Sequence, residues 1–276
     1  MKTRKPRASA ISHLFLILVF LFAVGPLLLL VNNALKPKEE FMTKPFGLPS
    51  RLTLDNLTAS WTQGHYAEAF RNSIGVGIAT IVIVCMLGGL AAYSLSKFEF
   101  RGRGTVMAFF LFAMSVPLGL FLVPLFFMWQ KLHLMDSLVG LIIIYSGIYL
   151  PFNVFLLRSY FVGIPHELGE AAKIDGCGEL KVFSKIILPI AAPAFSTVAL
   201  LVGLWTWNEF FFANSFIQSD ELRTVSTRYL TFVGSFSSDW SKVSAAGLIA
   251  VLPMMALYLF LQRRFIEGMT EGSIKG

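Results

Sequence analysis

The sequence predicts an all-α integral membrane protein with six transmembrane helices. Three observations carry this. The 276 residues are 55% hydrophobic and only 14% charged, against about a quarter charged in a soluble domain. Apolar runs near residues 12–34, 72–96, 106–128, 137–160, 188–217 and 243–262 each reach the roughly 20 residues a bilayer crossing needs. Lysine and arginine collect at the ends of these runs, and the alternation of barrel strands is absent. Runs of this length must be helical, because backbone groups in lipid have to be satisfied within their own segment. The charge distribution excludes nucleic acid as a partner despite a formal net charge of +7, since it orients spans and does not form a phosphate-tracking surface.

Taken in order, residues 1–11 are a basic tail with Lys2, Arg4, Lys5 and Arg7. The run from Leu14 to Val31 exceeds the roughly 7–15 residues of a secretory core and no small-x-small cleavage site follows, so span one is expected to be an uncleaved anchor. Span two carries Ser73, Gly75, Gly77 and Ala79, a small-residue face suited to close helix packing. Pro117, Gly119 and Pro124 interrupt span three, Pro151 span four, Pro189 and Pro193 the start of span five, and Pro253 span six. Each proline removes a backbone hydrogen bond, and freed groups survive only against protein or a water-filled cavity. The cluster in spans three and four therefore suits a lumen lining, although proline is also common in membrane helices generally. The fifth run is too long for one perpendicular crossing and must tilt, bend or protrude.

Orientation follows from the loops. One alternating set of connections holds 14 lysines and arginines and the other nine, five of the nine in the long 35–71 segment. The richer side is expected to be cytoplasmic. That places both termini, the 97–105 loop and the 158–187 segment inside. Trp61, Trp129, Trp205, Trp207 and Trp240 fall at or beyond the outer span ends, where indoles favour the headgroup region. Cys85 in an apolar run and Cys177 in a charged loop do not suggest a disulfide. His13, His65, His133 and His166 are scattered, so neither metal ligation nor a catalytic constellation is expected.

Between spans four and five lies a charged, helix-forming segment, residues 170–189. Glu170 to Lys173 is strong helix sequence with Pro165 and His166 upstream, and Asp175-Gly176 reads as a stop, glycine taking the left-handed conformation that ends a helix. Gly178 to Ile187 forms a second short helix, ended by Leu188-Pro189. The expectation is a cytoplasmic helix-turn-helix, with alanines that keep its first helix slim and a carboxylate at Glu170 available to a basic partner.

Glu170, Ala171, Ala172, Gly176, Ile186, Leu188 and Pro189 fill every fixed position of the pattern EAA-x3-G-x9-I-x-LP. This resembles the coupling loop of ABC importer permeases, with Asp175 beside its glycine. Phe46-Gly47-Leu48-Pro49, Phe70-Arg71-Asn72-Ser73, Ala91 to Ser96, Thr206 to Phe210 and the tail Gly268 to Gly276 extend the resemblance to the carbohydrate-uptake branch. Its representative is the smaller membrane subunit of the maltose importer. The resemblance implies a permease domain over residues 12–276, half of a translocation path for a sugar or sugar-like solute, and no enzymatic activity of its own. Implied partners are a second homologous permease, two ATP-binding subunits, an extracytoplasmic solute-binding protein and the lipid bilayer. The implied location is a bacterial or archaeal cytoplasmic membrane, multi-pass. No G-x-x-x-x-G-K-[ST] loop is present, so ATP and magnesium belong to the partner ATPase and this chain binds no cofactor.

For the substrate path the candidates are Asn153 beside Pro151, and Trp205, Trp207, Asn208 and Glu209. Amides and carboxylates hydrogen-bond sugars while aromatic faces stack on their C–H surfaces. The tryptophans equally suit an interfacial belt, and Asn208 and Glu209 helix packing. The alternative function is an ion-coupled secondary transporter, which needs ionisable intramembrane sites; Glu209 is its one candidate. The 218–242 connection, with Tyr229, Phe232, Phe236 and Trp240, is long for a helix–helix link. It is expected outside, either reaching into the binding protein or lying on the membrane surface.

Overall fold

The computed structural model describes residues 10–233 and 239–271. The basic tail Lys2 to Arg7, Phe236 and Lys275 lie outside them, as do the side chains of Arg263 and Arg264. The regular elements of the described residues are helices joined by short turns and extended links. In chain order the helices are α1 (Ala10–Ala34), α2 (Lys38–Thr43), α3 (Asp55–Gln63), α4 (Tyr66–Lys97), α5 (Arg103–Ser115), α6 (Leu122–Lys131), α7 (Leu138–Val162), α8 (Glu167–Ile174), α9 (Glu179–Val182), α10 (Leu188–Ile190), α11 (Ala192–Asn208), α12 (Phe211–Phe216), α13 (Val225–Arg228) and α14 (Trp240–Glu271). Four helices are long and apolar enough to span by themselves: α1, α4, α7 and the Trp240–Leu259 part of α14. Two further spans are possible as bent pairs, α5 with Leu118–Lys131 at 94° and Glu179–Ile190 with α11 at 78°.

Position decides which prolines break a helix. Pro26, Pro151 and Pro253 sit inside α1, α7 and α14 without ending them. Pro117 ends α5: it forces Val116 into extended backbone, ψ 126, as the ring disfavours the helical state of the preceding residue. The long fifth run divides at Ala191, with Pro193 in the first turn of α11, where no N–H is needed. It divides again after Asn208, where Glu209 is extended. Contrary to expectation, Leu188-Pro189 does not end the second short helix. The chain passes through a π turn, Phe183–Ile187, and Pro189 opens α10. Pro189 has no N–H to donate to the Lys185 carbonyl, its i−4 acceptor.

The chain packs as two units: one holds the residues up to Tyr66 with Arg228–Pro253, the other Ala67–Thr227 and the residues from Met254. In the first, Lys36 is fully buried. Its ammonium donates to Asn33 Oδ1 at 3.2 Å and to the carbonyls of Lys44 at 2.7 Å and Pro45 at 3.1 Å. All three of its donors are used, which is what makes a buried charge tolerable. Asn56 Nδ2 meanwhile donates to the carbonyls of Ala34 and Lys36, so the segment after α1 is held by side chains on backbone.

In the second unit α4, α7 and α11 make the core. The small stripe on α4 does not pack as expected: a Cβ placed at Gly75 or Gly77 meets nothing within 4 Å. Close approach occurs more than three turns on, where a Cβ at Gly89 would stand 2.8 Å from the Phe195 ring. Trp129 and Trp207 are buried rather than spread in a belt, Trp129 donating Nε1 to the Gly140 carbonyl at 3.1 Å. Trp61 and Trp240 remain exposed.

Between α6 and α7, Asp136 takes left-handed backbone, φ 51. Its carboxylate accepts from the amides of Gln218 at 2.8 Å and Ser219 at 2.9 Å and from the Ser219 hydroxyl. Partial burial opposes its ionisation, but these donors outweigh that and hold the carboxyl below the usual range. A depressed folded-state value means the stabilisation is present above the unfolded carboxylate value, near 4, and is lost as the pH falls below it. Asp136→Asn is therefore expected to lower stability at pH 7 by about 1–3 kcal/mol. The gap from the parent should close as the pH drops below about 4, which thermal unfolding in detergent at a series of pH values measures.

Candidate functional site

The segment between α7 and α11 folds as two short helices. Pro165 and His166 precede α8, whose first turn carries Glu167 and Glu170, charges that complement the helix N-terminus. Gly176 has φ 82. Its N–H donates to the Lys173 carbonyl at 3.0 Å, and the Cys177 N–H reaches back to Ala172 at 2.9 Å. These two bonds are a Schellman stop, and Asp175 is the cap before it. Ala172 and Val182 face inward and are buried, and a Cβ at Gly169 would rest 3.6 Å from Val182. The small residues let α8 lie close on α9.

Polar ties fix the pair to α4. Glu179 Oε1 pairs with the Lys173 ammonium, and Glu179 Oε2 accepts from the Tyr93 hydroxyl at 3.0 Å. The Lys173 ammonium also lies 5.9 Å from the centre of the Phe98 ring. Nearby, Lys97 Nζ donates to the Ile164 carbonyl at 2.5 Å and Arg158 Nε to the Leu95 carbonyl at 3.1 Å. A cavity of about 130 Å³ lies beneath, lined in part by Tyr93, His166, Glu170 and Glu179. Ile174 and Leu180 stand 86% and 74% exposed, two large apolar side chains in a charged surface. Glu170, Ala171 and Asp175 are also exposed, whereas Ile186 packs against the core and Leu188 and Pro189 lie at the surface. Sequence reasoning missed Tyr93, Lys173, Glu179, Ile174 and Leu180. Only the amphipathic reading of α8 and α9 could have singled out the last two.

The substrate-path candidates separate. Asn153 is fully buried and donates Nδ2 to the Tyr149 carbonyl at 2.7 Å. Trp205 is half-buried between Tyr149 and Phe152, ring centres at 5.4 and 5.3 Å. Trp207 packs edge-on against Phe70. Asn208 is exposed, its amide on the Leu204 carbonyl. Glu209 is the joint between α11 and α12: Oε1 accepts from Phe212 N at 2.9 Å, and Oε2 accepts from Ala213 N at 3.0 Å and from the Tyr145 hydroxyl at 2.5 Å. Its own carbonyl accepts from Ser226 Oγ at 2.5 Å. An apolar recess of about 320 Å³ opens where α5 and α6 part, with Leu118, Phe121, Trp129, Ile144 and Pro151 in its wall. Cys85 and Cys177 are free thiols. Among the described residues no His, Cys, Asp and Glu converge as metal ligands.

The described residues thus form a helical membrane protein with bent spans and a two-helix surface segment between two of them. Residues 84–271 match the model of the family described as binding-protein-dependent transport system inner membrane component. The chain is 36% identical to a probable ABC transporter permease of Bacillus subtilis, YurM, over 95% of this chain and 87% of that protein. It is 33% identical to the diacetylchitobiose uptake permease NgcG of Streptomyces coelicolor, over 98% and 90%. It is 32% identical to the trehalose transport permease SugB of Mycobacterium tuberculosis, over 94% and 95%. A crystal structure of a bacterial ABC transporter involved in alginate import contains a chain of the same fold, with a TM-score of 0.81 at 23% identity, over 95% of this chain and 100% of that one. The chain belongs to the family of inner-membrane permease components of binding-protein-dependent ABC transporters. It is thus a multi-pass inner-membrane subunit without catalytic activity or cofactor of its own, in a system whose ATPase is a separate component.

The positive φ at Gly176 generates a prediction. A Cβ there meets nothing within 4 Å, so any penalty is conformational and not steric crowding. Gly176→Val should cost about 1–2 kcal/mol, and Gly176→Asn less, since asparagine visits the left-handed region. Hydrogen exchange across residues 167–187 of the purified protein should quicken for the valine variant and stay close to the parent for asparagine.

Proposed function

We propose that this chain forms half of the translocation path of an ATP-driven importer for a sugar or sugar-like solute, and couples to its ATPase through the α8–α9 segment. The observation that carries this is the Schellman-stopped helix pair with Ile174 and Leu180 presented outward. Exposed apolar side chains on a rigidly closed turn suit a groove on another protein, and Glu170 beside them suits a basic residue on the same partner. Glu170, Ala171, Ala172, Asp175, Gly176, Ile186, Leu188 and Pro189 form this coupling element. The carbohydrate class is supported by relatives that carry diacetylchitobiose, trehalose and arabinooligosaccharides in their names.

The assembly comprises a second homologous permease, two ATP-binding subunits and an external solute-binding protein. Both termini and the α8–α9 segment face the cytoplasm, a placement supported by the lysine and arginine bias. Residues 12–276 constitute the permease domain and residues 1–11 a cytoplasmic tail. Approach of the two ATPase subunits moves the docked α8–α9 segments, and the spans rock between inward-open and outward-open states. In the path, Trp205 and Asn208 offer the aromatic face and the amide. Asn153, Trp207 and Glu209 shape the frame around them.

Co-purification of the ATPase with permease variants tests the coupling. A partly desolvated charge-assisted contact contributes about 1.5–3 kcal/mol, so Glu170→Lys should reduce ATPase recovery more than Glu170→Ala. Replacing both Ile174 and Leu180 with aspartate should reduce it at least as far. Parent-like recovery from all three variants would refute the docking role.

A further inference from the structure

We infer that Tyr93, Glu179 and Lys173 are positioning residues that form a latch through which the α8–α9 segment drives α4. The inference rests on the coupling role proposed above and adds how motion leaves that segment. The chain itself joins the segment to α7 on one side and to α11 on the other, so those spans follow it covalently. No such connection reaches α4. Whatever moves α4 with the segment must be non-covalent.

The contacts supply such a link. Glu179 opens α9 and uses both carboxylate oxygens, one on the Lys173 ammonium of α8 and one on the Tyr93 hydroxyl of α4. The first contact ties the two helices of the segment together, so that they move as one body. The second ties that body to α4, one turn before its cytoplasmic end. Tyr93 is 6% exposed and its ring packs against Phe98 and Phe183 at 5.6 and 5.2 Å. The Tyr93 ring is held in place by this packing, while the Glu179 and Lys173 side chains stay half-exposed, so the tie rests on a directional hydrogen bond from a fixed ring and not on a desolvated ion pair. Apolar contacts resist compression but slide under tension, whereas a directional charge-assisted bond transmits a pull as well as a push. The Tyr93 hydroxyl is the point at which α9 holds α4, beside the Lys97 and Arg158 ties that join α4 to the chain before α8.

The test uses the permease assembled with its ATPase in lipid nanodiscs, on a Cys85→Ser, Cys177→Ala background. Spin labels at Ser184→Cys and Ile78→Cys, both exposed positions, report the distance between the segment and the middle of α4. In the parent, vanadate-trapped ATP should leave that distance unchanged to within about 2 Å, the size of ordinary interface helix shifts. Tyr93→Phe, which removes one oxygen atom, should shift it further or split it into two populations. Glu179→Ala should do the same. Glu179→Gln keeps an acceptor for the Tyr93 hydroxyl and should lie closer to the parent. Parent-like distances in both Tyr93→Phe and Glu179→Ala would overturn the latch, as would a Glu179→Gln variant no better than alanine. ATPase recovery from the same samples separates the two failures. Intact recovery with parent-like distances sinks the latch alone, while recovery indifferent to Glu170→Lys, to Glu170→Ala and to the double aspartate replacement of Ile174 and Leu180 sinks the coupling reading with it.

Discussion

In a bilayer every backbone N–H and carbonyl must find a partner within the protein, and the rest of this structure depends on how that demand is met where helices stop. Glu209 is the clearest case. After Asn208 the chain turns extended, and the carboxylate of the next residue takes up the free amides of Phe212 and Ala213 at the start of α12. Tyr145 on α7 donates to the same carboxylate. One side chain thus ends a span, starts the next helix and joins both to a third. Family membership points away from an ion-coupled role for this carboxylate, and its three hydrogen bonds give it a structural one.

The same solution recurs with different groups. Asp136 receives two amides and a hydroxyl where the 217–219 strip passes the α6–α7 turn. Asn72 donates its amide to the carbonyls of Glu221 and Arg223, and Ser73 accepts from Val225 N. The strip that follows span five is therefore a tethered segment up to Thr227, not a free linker. In the other unit, Lys36 and Asn56 do the equivalent work on carbonyls. In each of these places a buried polar side chain supplies the partner that a backbone group would otherwise lack.

The α8–α9 segment obeys the opposite economy. Its turn is closed by backbone alone through Gly176, so its side chains are left for other tasks. Those facing inward bind α4, and those facing outward present apolar surface with charges around it.

The sequence by itself determined the helical class, the six apolar runs and the helix-turn-helix between the fourth and fifth. Each is a local property: hydrophobic length, proline position and a glycine where only positive φ closes the turn. Tertiary structure alone decided which prolines break a span, since Pro117 does and Pro151 does not. It moved the close glycine contact from Gly75 and Gly77 to Gly89, and buried Trp129 and Trp207 in place of an interfacial belt. It also joined Tyr93 to Glu179, 86 residues apart. A single sequence carries no signal for such a pair, because the partners are set by how α4 packs against a segment that follows two further spans.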